Sequence, residues 1–207
     1  MARRTKIEAL ATRSHILDTA ESVFAQRGVS RTSLHELALA AGVSRGAIYW
    51  HFKDKADLFN AMMERVTLPL EQTGRPCIDT GPGASLAQVR DSFVDVLRKM
   101  VADPQLRRVF EIATHKVEYV HEMRAVRERH LSMRNACWAD VEQRIARAMR
   151  RGELARRLPA RAAAVGLHAL IDGLIQNWML DPEAFDLVRV GRQVLDAYLA
   201  SLTLPAA

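Results

Sequence analysis

The tetrapeptide at residues 41–44, Ala-Gly-Val-Ser, lies between two short helical patterns and constrains the fold more than any other feature of the chain. A Ser-x-x-Glu capping box at Ser33–Glu36 opens the first pattern. Gly42 ends it after barely two turns, because glycine accepts the left-handed conformation of a helix end. Ser44 then supplies an N-cap for a second short helix over residues 45–52. Two short helices joined by such a turn are typical of a helix-turn-helix unit.

Helical periodicity continues through the rest of the chain, whereas the apolar–polar alternation of a half-buried strand is almost absent. The apolar spacing predicts further helices near residues 12–27, 54–70, 85–102, 104–119, 121–151, 160–181 and 185–202. We therefore predict an all-α fold. An N-terminal three-helix helix-turn-helix domain, residues 1–53, precedes a larger C-terminal helical domain, residues 54–207. A loop rich in glycine and proline, residues 73–85, interrupts the second domain.

Composition limits the compartment and the chemistry of the protein. The 207 residues carry a net charge of +6 and are 49% hydrophobic, which favours a folded protein with an anionic partner. Neither a signal peptide nor a membrane-spanning stretch is evident, and two cysteines, Cys77 and Cys137, do not make a disulfide framework, so we expect a cytoplasmic protein without a membrane partner. No nucleophile–base pair or metal-ligand spacing is recognisable, so we expect neither an enzyme nor a cofactor.

The second short helix carries an unusual outer surface. Ile48 and Phe52, four residues apart, face inward. The residues left outward are Arg45, Gly46, Ala47, Tyr49, Trp50 and His51. Exposed aromatic rings beside an arginine suit a nucleic-acid groove, and small residues let the backbone approach base edges. With Lys53 and Lys55 placed for phosphates at the next helix, residues 32–52 are predicted to recognise DNA.

The run Arg45–Lys55, Arg-Gly-Ala-Ile-Tyr-Trp-His-Phe-Lys-Asp-Lys, resembles the N-terminal signature of TetR-family repressors, as do Thr32–Leu34 and residues 41–44 before it. The opening Ala-Arg-Arg-Thr-Lys and the later Asp172–Ile175 resemble the AcrR-type subgroup, which represses multidrug efflux operons. The resemblance implies a transcriptional repressor that binds a palindromic operator as a homodimer. It also implies release from the operator by a small hydrophobic or cationic inducer.

The same resemblance implies roles for individual residues of the DNA-binding segment. Arg45 would contact a base. The phosphate contacts would be Thr32, Tyr49, His51 and Lys55. The predicted DNA-binding set is completed by the capping serines and the remaining groove-facing residues, Ser33, Ser44, Gly46, Ala47, Trp50 and Lys53.

The last two helices carry more apolar surface than one three-layer helical domain needs for its core. Pairing two chains into a four-helix bundle would bury that surface, and a palindromic operator requires the same two-fold symmetry. The predicted dimer-interface residues are Leu167, Leu170, Leu174, Trp178, Val194, Tyr198 and Leu202.

The resemblance further implies an inducer cavity in the larger domain, with apolar walls and a few polar groups. The predicted lining residues are Met62, Val66, Phe110, Thr114, Cys137, Val141, His168, Ile171, Asp172 and Gln176. Asp172, on an apolar helix, would either anchor a cation or make a structural hydrogen bond, and His168 would line the pocket or lie in the core. The alternative to a drug-responsive efflux regulator is a regulator of a metabolic operon that senses a metabolite or an acyl-CoA.

Overall fold

The computed structural model describes residues 2–72, 86–155 and 158–203. Its helices are α1 (Ala2–Arg27), α2 (Leu34–Ala40), α3 (Arg45–His51), α4 (Lys55–Gln72), α5 (Leu86–Ala102), α6 (Pro104–His115), α7 (Arg124–Arg150), α8 (Ala160–Leu180) and α9 (Leu187–Leu202), with a 3₁₀ turn (His121–Met123) before α7. Apart from an isolated bridge between Leu154 and Thr203, no strand pairing occurs in the described ranges. The predicted all-α fold is confirmed. The predicted loop, residues 73–85, lies outside the described residues, as does Cys77.

Two helix ends differ most from the sequence prediction. Helix α1 begins at Ala2 rather than near residue 12, and the prediction missed its first turns because they are mainly polar. Helix α6 ends at His115 rather than near residue 119, and residues 116–120 form a non-helical connection to the 3₁₀ turn. The β-branched Val117 and Val120 in that connection have restricted χ1 rotation, which lowers helix propensity. No helix in the described parts of the chain combines the length and apolar character needed to cross a bilayer.

The chain divides into two compact units. The first comprises Met1–Thr67 with Arg108–His130, and the second comprises Leu68–Arg107 with Leu131–Ala207. Helices α4, α6 and α7 therefore each contribute residues to both units. A domain boundary after Lys53 stays a prediction.

Apolar side chains of α1 to α4 and α6 form the core of the first unit. Phe24 of α1 and Phe59 of α4 are buried, with ring centroids 6.2 Å apart. Leu37 of α2 and Ile48 of α3 are also fully buried. Burying each such side chain contributes about 1.5–3 kcal/mol. Because helices as short as α2 and α3 are marginal in isolation, this core is what keeps them folded.

Helices α5, α8 and α9 and most of α7 make up the greater part of the second unit. Gly191 of α9 lies so close to Leu97 of α5 that a Cβ at this position would collide with the end of the Leu97 side chain, which would have to shift. Tyr198 of α9 donates a hydrogen bond from its hydroxyl to the Ala163 carbonyl of α8 at 2.9 Å. Burial raises the pKa of Tyr198, so the hydroxyl remains a donor at neutral pH.

Candidate DNA interface

Helix α2 begins at the predicted capping box. The Ser33 hydroxyl accepts a hydrogen bond from the Glu36 backbone N–H at 3.2 Å, and the Glu36 carboxylate accepts one from the Ser33 backbone N–H at 2.8 Å. This reciprocal pair satisfies two backbone donors that a helix start leaves open. The hydrogen bond from the Ser33 backbone lowers the pKa of Glu36, so the carboxylate stays ionised and the cap stays closed near neutral pH.

A tight turn joins α2 to α3. Gly42 has φ +63°, in the left-handed region that an L side chain disfavours. The Val43 N–H donates to the Ala38 carbonyl at 3.0 Å, which closes the end of α2. The Ser44 hydroxyl accepts a hydrogen bond from the Ala47 N–H at 3.1 Å and caps α3. The local geometry is therefore that of the predicted helix-turn-helix.

Helix α3 is anchored on one side and open on the other. Ile48 is fully buried and Phe52, its C-cap, is 1% exposed. On the open side Trp50 is 72% exposed and Tyr49 48% exposed, and Arg45 is exposed with its guanidinium carbon 5.7 Å from the Tyr49 ring centroid. Of the small predicted residues, Gly46 is exposed and Ala47 is half-buried. The open side offers a cation, two aromatic rings and an approachable backbone to a ligand.

His51 belongs to the edge of this surface. Its ring lies 4.5 Å from the Trp50 ring in an edge-on arrangement, and its side chain is half-buried. Burial lowers the pKa of His51, and the positive charge of Arg13 lowers it further. A neutral His51 can donate a hydrogen bond to a phosphate oxygen but brings no charge to it.

Thr32 does not present the hydroxyl that a phosphate contact requires. The side chain is 2% exposed, and its hydroxyl donates to the Gly28 carbonyl at 2.8 Å. The one hydroxyl proton is therefore already used inside the protein. The expected phosphate contact of the Thr32 side chain is corrected to a structural hydrogen bond that ties the start of α2 to the end of α1.

Lys55 differs from its predicted role in the same way. Its ammonium donates to the Thr32 carbonyl at 3.0 Å and to the Ser30 carbonyl at 3.5 Å, and it pairs with the Glu122 carboxylate at 3.1 Å. An ammonium has three donors, and these three partners occupy them. The exposed fraction of the residue is 5%. Lys55 therefore links the start of α4 to the segment before α2 and to the 3₁₀ turn. It offers no free donor to a phosphate.

A surface depression collects several of the predicted DNA-binding side chains in the first unit. It is lined by Thr32, Ser33, Tyr49, Lys53, Lys55 and Glu122, among others. Lys53 is exposed, and its backbone N–H donates to the Asp57 carboxylate at 3.0 Å. Glu122 was missed by sequence reasoning, because it is far from α3 in the chain and no spacing pattern connects the two. The depression therefore contains three acidic residues, Glu36, Asp54 and Glu122, among hydroxyl and basic side chains.

The predicted inducer-binding residues divide between the two units. In the first unit Met62 and Val66 are buried, Phe110 is half-buried and Thr114 is exposed. The members in the second unit range from buried to exposed, and they are Cys137, Val141, His168, Ile171, Asp172 and Gln176. A cavity formed by all of these residues stays a prediction.

Asp172 does not lie in an apolar interior. It is exposed, and its carboxylate accepts a hydrogen bond from the Gln176 amide one helical turn later at 2.6 Å. A hydrated carboxylate attracts a cation far less than a buried one does, because water screens its charge. The expected cation anchor is therefore corrected to a surface hydrogen-bonding pair on α8.

His168 packs against an aromatic side chain that sequence reasoning did not single out. Its ring lies edge-on to Trp138 of α7, with centroids 5.9 Å apart. The guanidinium carbons of Arg134 and Arg161 lie 4.2 Å and 4.9 Å from the same indole centroid. His168 is half-buried. Cys137 of α7 is disulfide-bonded.

The predicted dimer residues fall into two groups. Leu167, Trp178 and Leu202 are at most 4% exposed within the single chain, so they already fill its core and offer no surface to a partner. The predicted interface is corrected to exclude these three. The half-buried members keep part of their apolar surface open, and they are Leu170, Leu174, Val194 and Tyr198.

Comparisons with known proteins cover nearly the whole chain. Residues 16–62 match the model of bacterial regulatory proteins of the tetR family, and residues 84–204 match that of the C-terminal region of MAATS-type transcriptional repressors. The HTH-type transcriptional regulator AcrR of Shigella flexneri is 41% identical over 99% of this chain and 97% of its own length.

Solved structures agree with these matches. NalD, the secondary repressor of the MexAB-OprM multidrug efflux pump in Pseudomonas aeruginosa, superimposes with a TM-score of 0.86 at 35% identity, covering 96% of this chain and 99% of NalD. SmeT in its complex with triclosan gives a TM-score of 0.78 at 32% identity, covering 95% and 93% of the two chains. The likeness extends from the helix-turn-helix to α9, and the chain belongs to the TetR family of bacterial transcriptional regulators.

Proposed function

We propose that this protein represses transcription of a multidrug efflux operon by binding operator DNA through α3. The open side of α3 carries this proposal: Arg45, Tyr49 and Trp50 are exposed on a helix that Ile48 and Phe52 fix to the core. A helix of these dimensions fits the major groove, where an arginine can donate two hydrogen bonds to a guanine. NalD represses a multidrug efflux pump, and the likeness of this chain to NalD supports an efflux operon rather than a metabolic operon as the regulated target.

The same proposal includes a homodimer on a palindromic operator in the cytoplasm. One helix-turn-helix contacts too few base pairs for a specific genomic site, whereas two related by two-fold symmetry contact two half-sites about 34 Å apart. The half-exposed Leu170 and Leu174 of α8, with Val194 and Tyr198 of α9, supply apolar surface for the pairing.

Release by a small hydrophobic or cationic inducer completes the proposal. The inducer must bind the DNA-free protein more tightly than the DNA-bound protein, because only a difference in affinity shifts the equilibrium. Its cavity is proposed in the helical region beyond the helix-turn-helix. The triclosan complex of SmeT supports a hydrophobic compound as the inducer class.

The test combines operator binding with release. The full-length protein is titrated against the DNA upstream of its own gene and against a scrambled duplex at fixed salt, and the complex is then challenged with triclosan, ethidium and palmitoyl-CoA. We expect preferential binding to the upstream DNA and release by triclosan or ethidium. Equal affinity for both duplexes would contradict DNA recognition, and release by palmitoyl-CoA alone would contradict the drug-responsive assignment.

A further inference from the structure

The ion pair between Lys55 and Glu122 lies within the surface that we propose as the DNA interface. Lys55 is the first residue of α4, and Glu122 is in the 3₁₀ turn, with 3.1 Å between the ammonium and the carboxylate. Both residues line the depression that also contains Ser33, Tyr49 and Lys53, together with the acids Glu36 and Asp54. A phosphate held in this depression would therefore lie near acids as well as near basic and hydroxyl groups, and Glu122 is the acid that pairs with Lys55.

Glu122 faces solvent while Lys55 does not. The side chain of Glu122 is 55% exposed and that of Lys55 is 6% exposed. The carbonyls of Thr32 and Ser30 also point their negative ends at the Lys55 ammonium. Lys55 and Glu122 together carry no net charge, but Glu122 is the more exposed of the two. Its carboxylate therefore repels an approaching phosphate.

We propose that Glu122 sets operator affinity by neutralising Lys55 inside the phosphate-binding depression. This inference rests on the proposed DNA-binding function and adds a residue to it. Glu122 occupies one of the three donors of the Lys55 ammonium, so removing its charge makes that donor available to a DNA phosphate in the same depression. Removing the charge of Glu122 leaves a net positive charge at Lys55, whose two carbonyl partners still hold it in place.

The test uses Glu122→Gln in the full-length protein, because glutamine keeps the size and a hydrogen-bond acceptor. Glu118→Gln is the matched control: it removes the same charge from the connection that precedes the 3₁₀ turn, but Glu118 lines a different depression that does not include Lys55. Lys55→Gln and the double variant Lys55→Gln/Glu122→Gln complete a double-mutant cycle. Glu122→Ala repeats the charge removal with a different side chain, and thermal unfolding without DNA checks that each variant is folded.

Operator affinity is measured by fluorescence anisotropy over a series of salt concentrations. We expect Glu122→Gln to tighten binding about fivefold more than Glu118→Gln. The slope of log affinity against log salt should steepen by up to about 0.9 for each protomer bound, as expected for one more phosphate neutralised. In the Lys55→Gln background the gain should disappear.

Three results would overturn the inference: equal gains in Glu122→Gln and Glu118→Gln, weaker binding by folded Glu122→Gln, or a gain that persists without Lys55. Each of them presupposes that the wild-type protein binds its operator specifically. Failure of the wild-type protein to do so would contradict the proposed function itself, which separates the two failures.

Discussion

Glu21 of α1 accepts a hydrogen bond from Arg65 of α4 at 3.2 Å while its other carboxylate oxygen pairs with Arg108 of α6, also at 3.2 Å. The Glu21 side chain is 5% exposed, so a buried carboxylate joins three helices of the first unit. Arg65 makes a second ion pair with Asp18, whose side chain is 60% exposed. Glu21 and Asp18 thus share Arg65 as a partner, but the Glu21 carboxylate is buried and the Asp18 carboxylate is exposed to water.

We predict that Glu21→Gln lowers the free energy of unfolding by about 2 kcal/mol, because it removes the buried counter-charge of Arg65 and leaves that arginine only the exposed Asp18 as a partner. Asp18→Asn is the control on the same helix and should cost less than about 1 kcal/mol, since water screens an exposed pair. Urea denaturation followed by circular dichroism measures both. Equal losses would show that burial of Glu21 does not strengthen the network.

Removing the cap of α3 should weaken the DNA-binding helix itself. Ser44→Ala deletes the acceptor for the Ala47 N–H and should cost about 1 kcal/mol in thermal or urea unfolding. Ser92→Ala on α5 is the matched control: its exposed hydroxyl donates to the Gln88 carbonyl within the helix, and its loss should be nearly neutral. A Ser44→Ala protein as stable as wild type would contradict the capping role.

The turn between α2 and α3 gives a third test. Gly42 has φ +63° and open space where a Cβ would be, so any cost of substitution comes from the backbone and not from a collision. Gly42→Ala should destabilise the protein by about 1–2 kcal/mol. Gly42→Asn should cost less, because asparagine tolerates the left-handed region better. The ranking is checked by urea denaturation, and equal stability of Gly42→Ala and wild type would refute it.

The lowered pKa of His51 predicts that the free energy of unfolding depends on pH. Burial, and then the charge of Arg13, lower its pKa below the ordinary 6.5, so the folded protein binds the proton less tightly than the unfolded chain does. The free energy of unfolding should therefore fall as the pH decreases from 6.5 to the lowered value. His51→Gln should flatten this part of the profile, measured by urea denaturation at a series of pH values. An identical slope in the variant would contradict the assignment.

The elements of the helix-turn-helix could be predicted from sequence because their signals are local. The Ser33 and Ser44 caps and the left-handed Gly42 depend on residues within four positions, and all three occur as predicted. The donor assignment of Lys55 could not be obtained in this way. Its partners are the Ser30 and Thr32 carbonyls and Glu122, and only the folded chain brings these groups together.

Apolar patterning likewise identified α8 and α9 without showing which residues the chain covers. Leu167 and Leu170 are equally apolar and three positions apart, yet the first is fully buried and the second is half-buried. The difference depends on which side of α8 faces the rest of its unit, which a helical period leaves undetermined. The same ambiguity placed Asp172 in a cavity when it is exposed.

Arg45 tests the central claim most directly, because it is the exposed cation at the start of α3. Operator affinity of Arg45→Ala is compared at fixed salt with that of Arg124→Ala, which removes an equal charge from an exposed position on α7. We predict a loss of about tenfold to hundredfold per half-site for Arg45→Ala, with reduced discrimination against scrambled DNA, and little change for Arg124→Ala. An Arg45→Ala protein that binds the operator with wild-type affinity and specificity would contradict DNA recognition through α3.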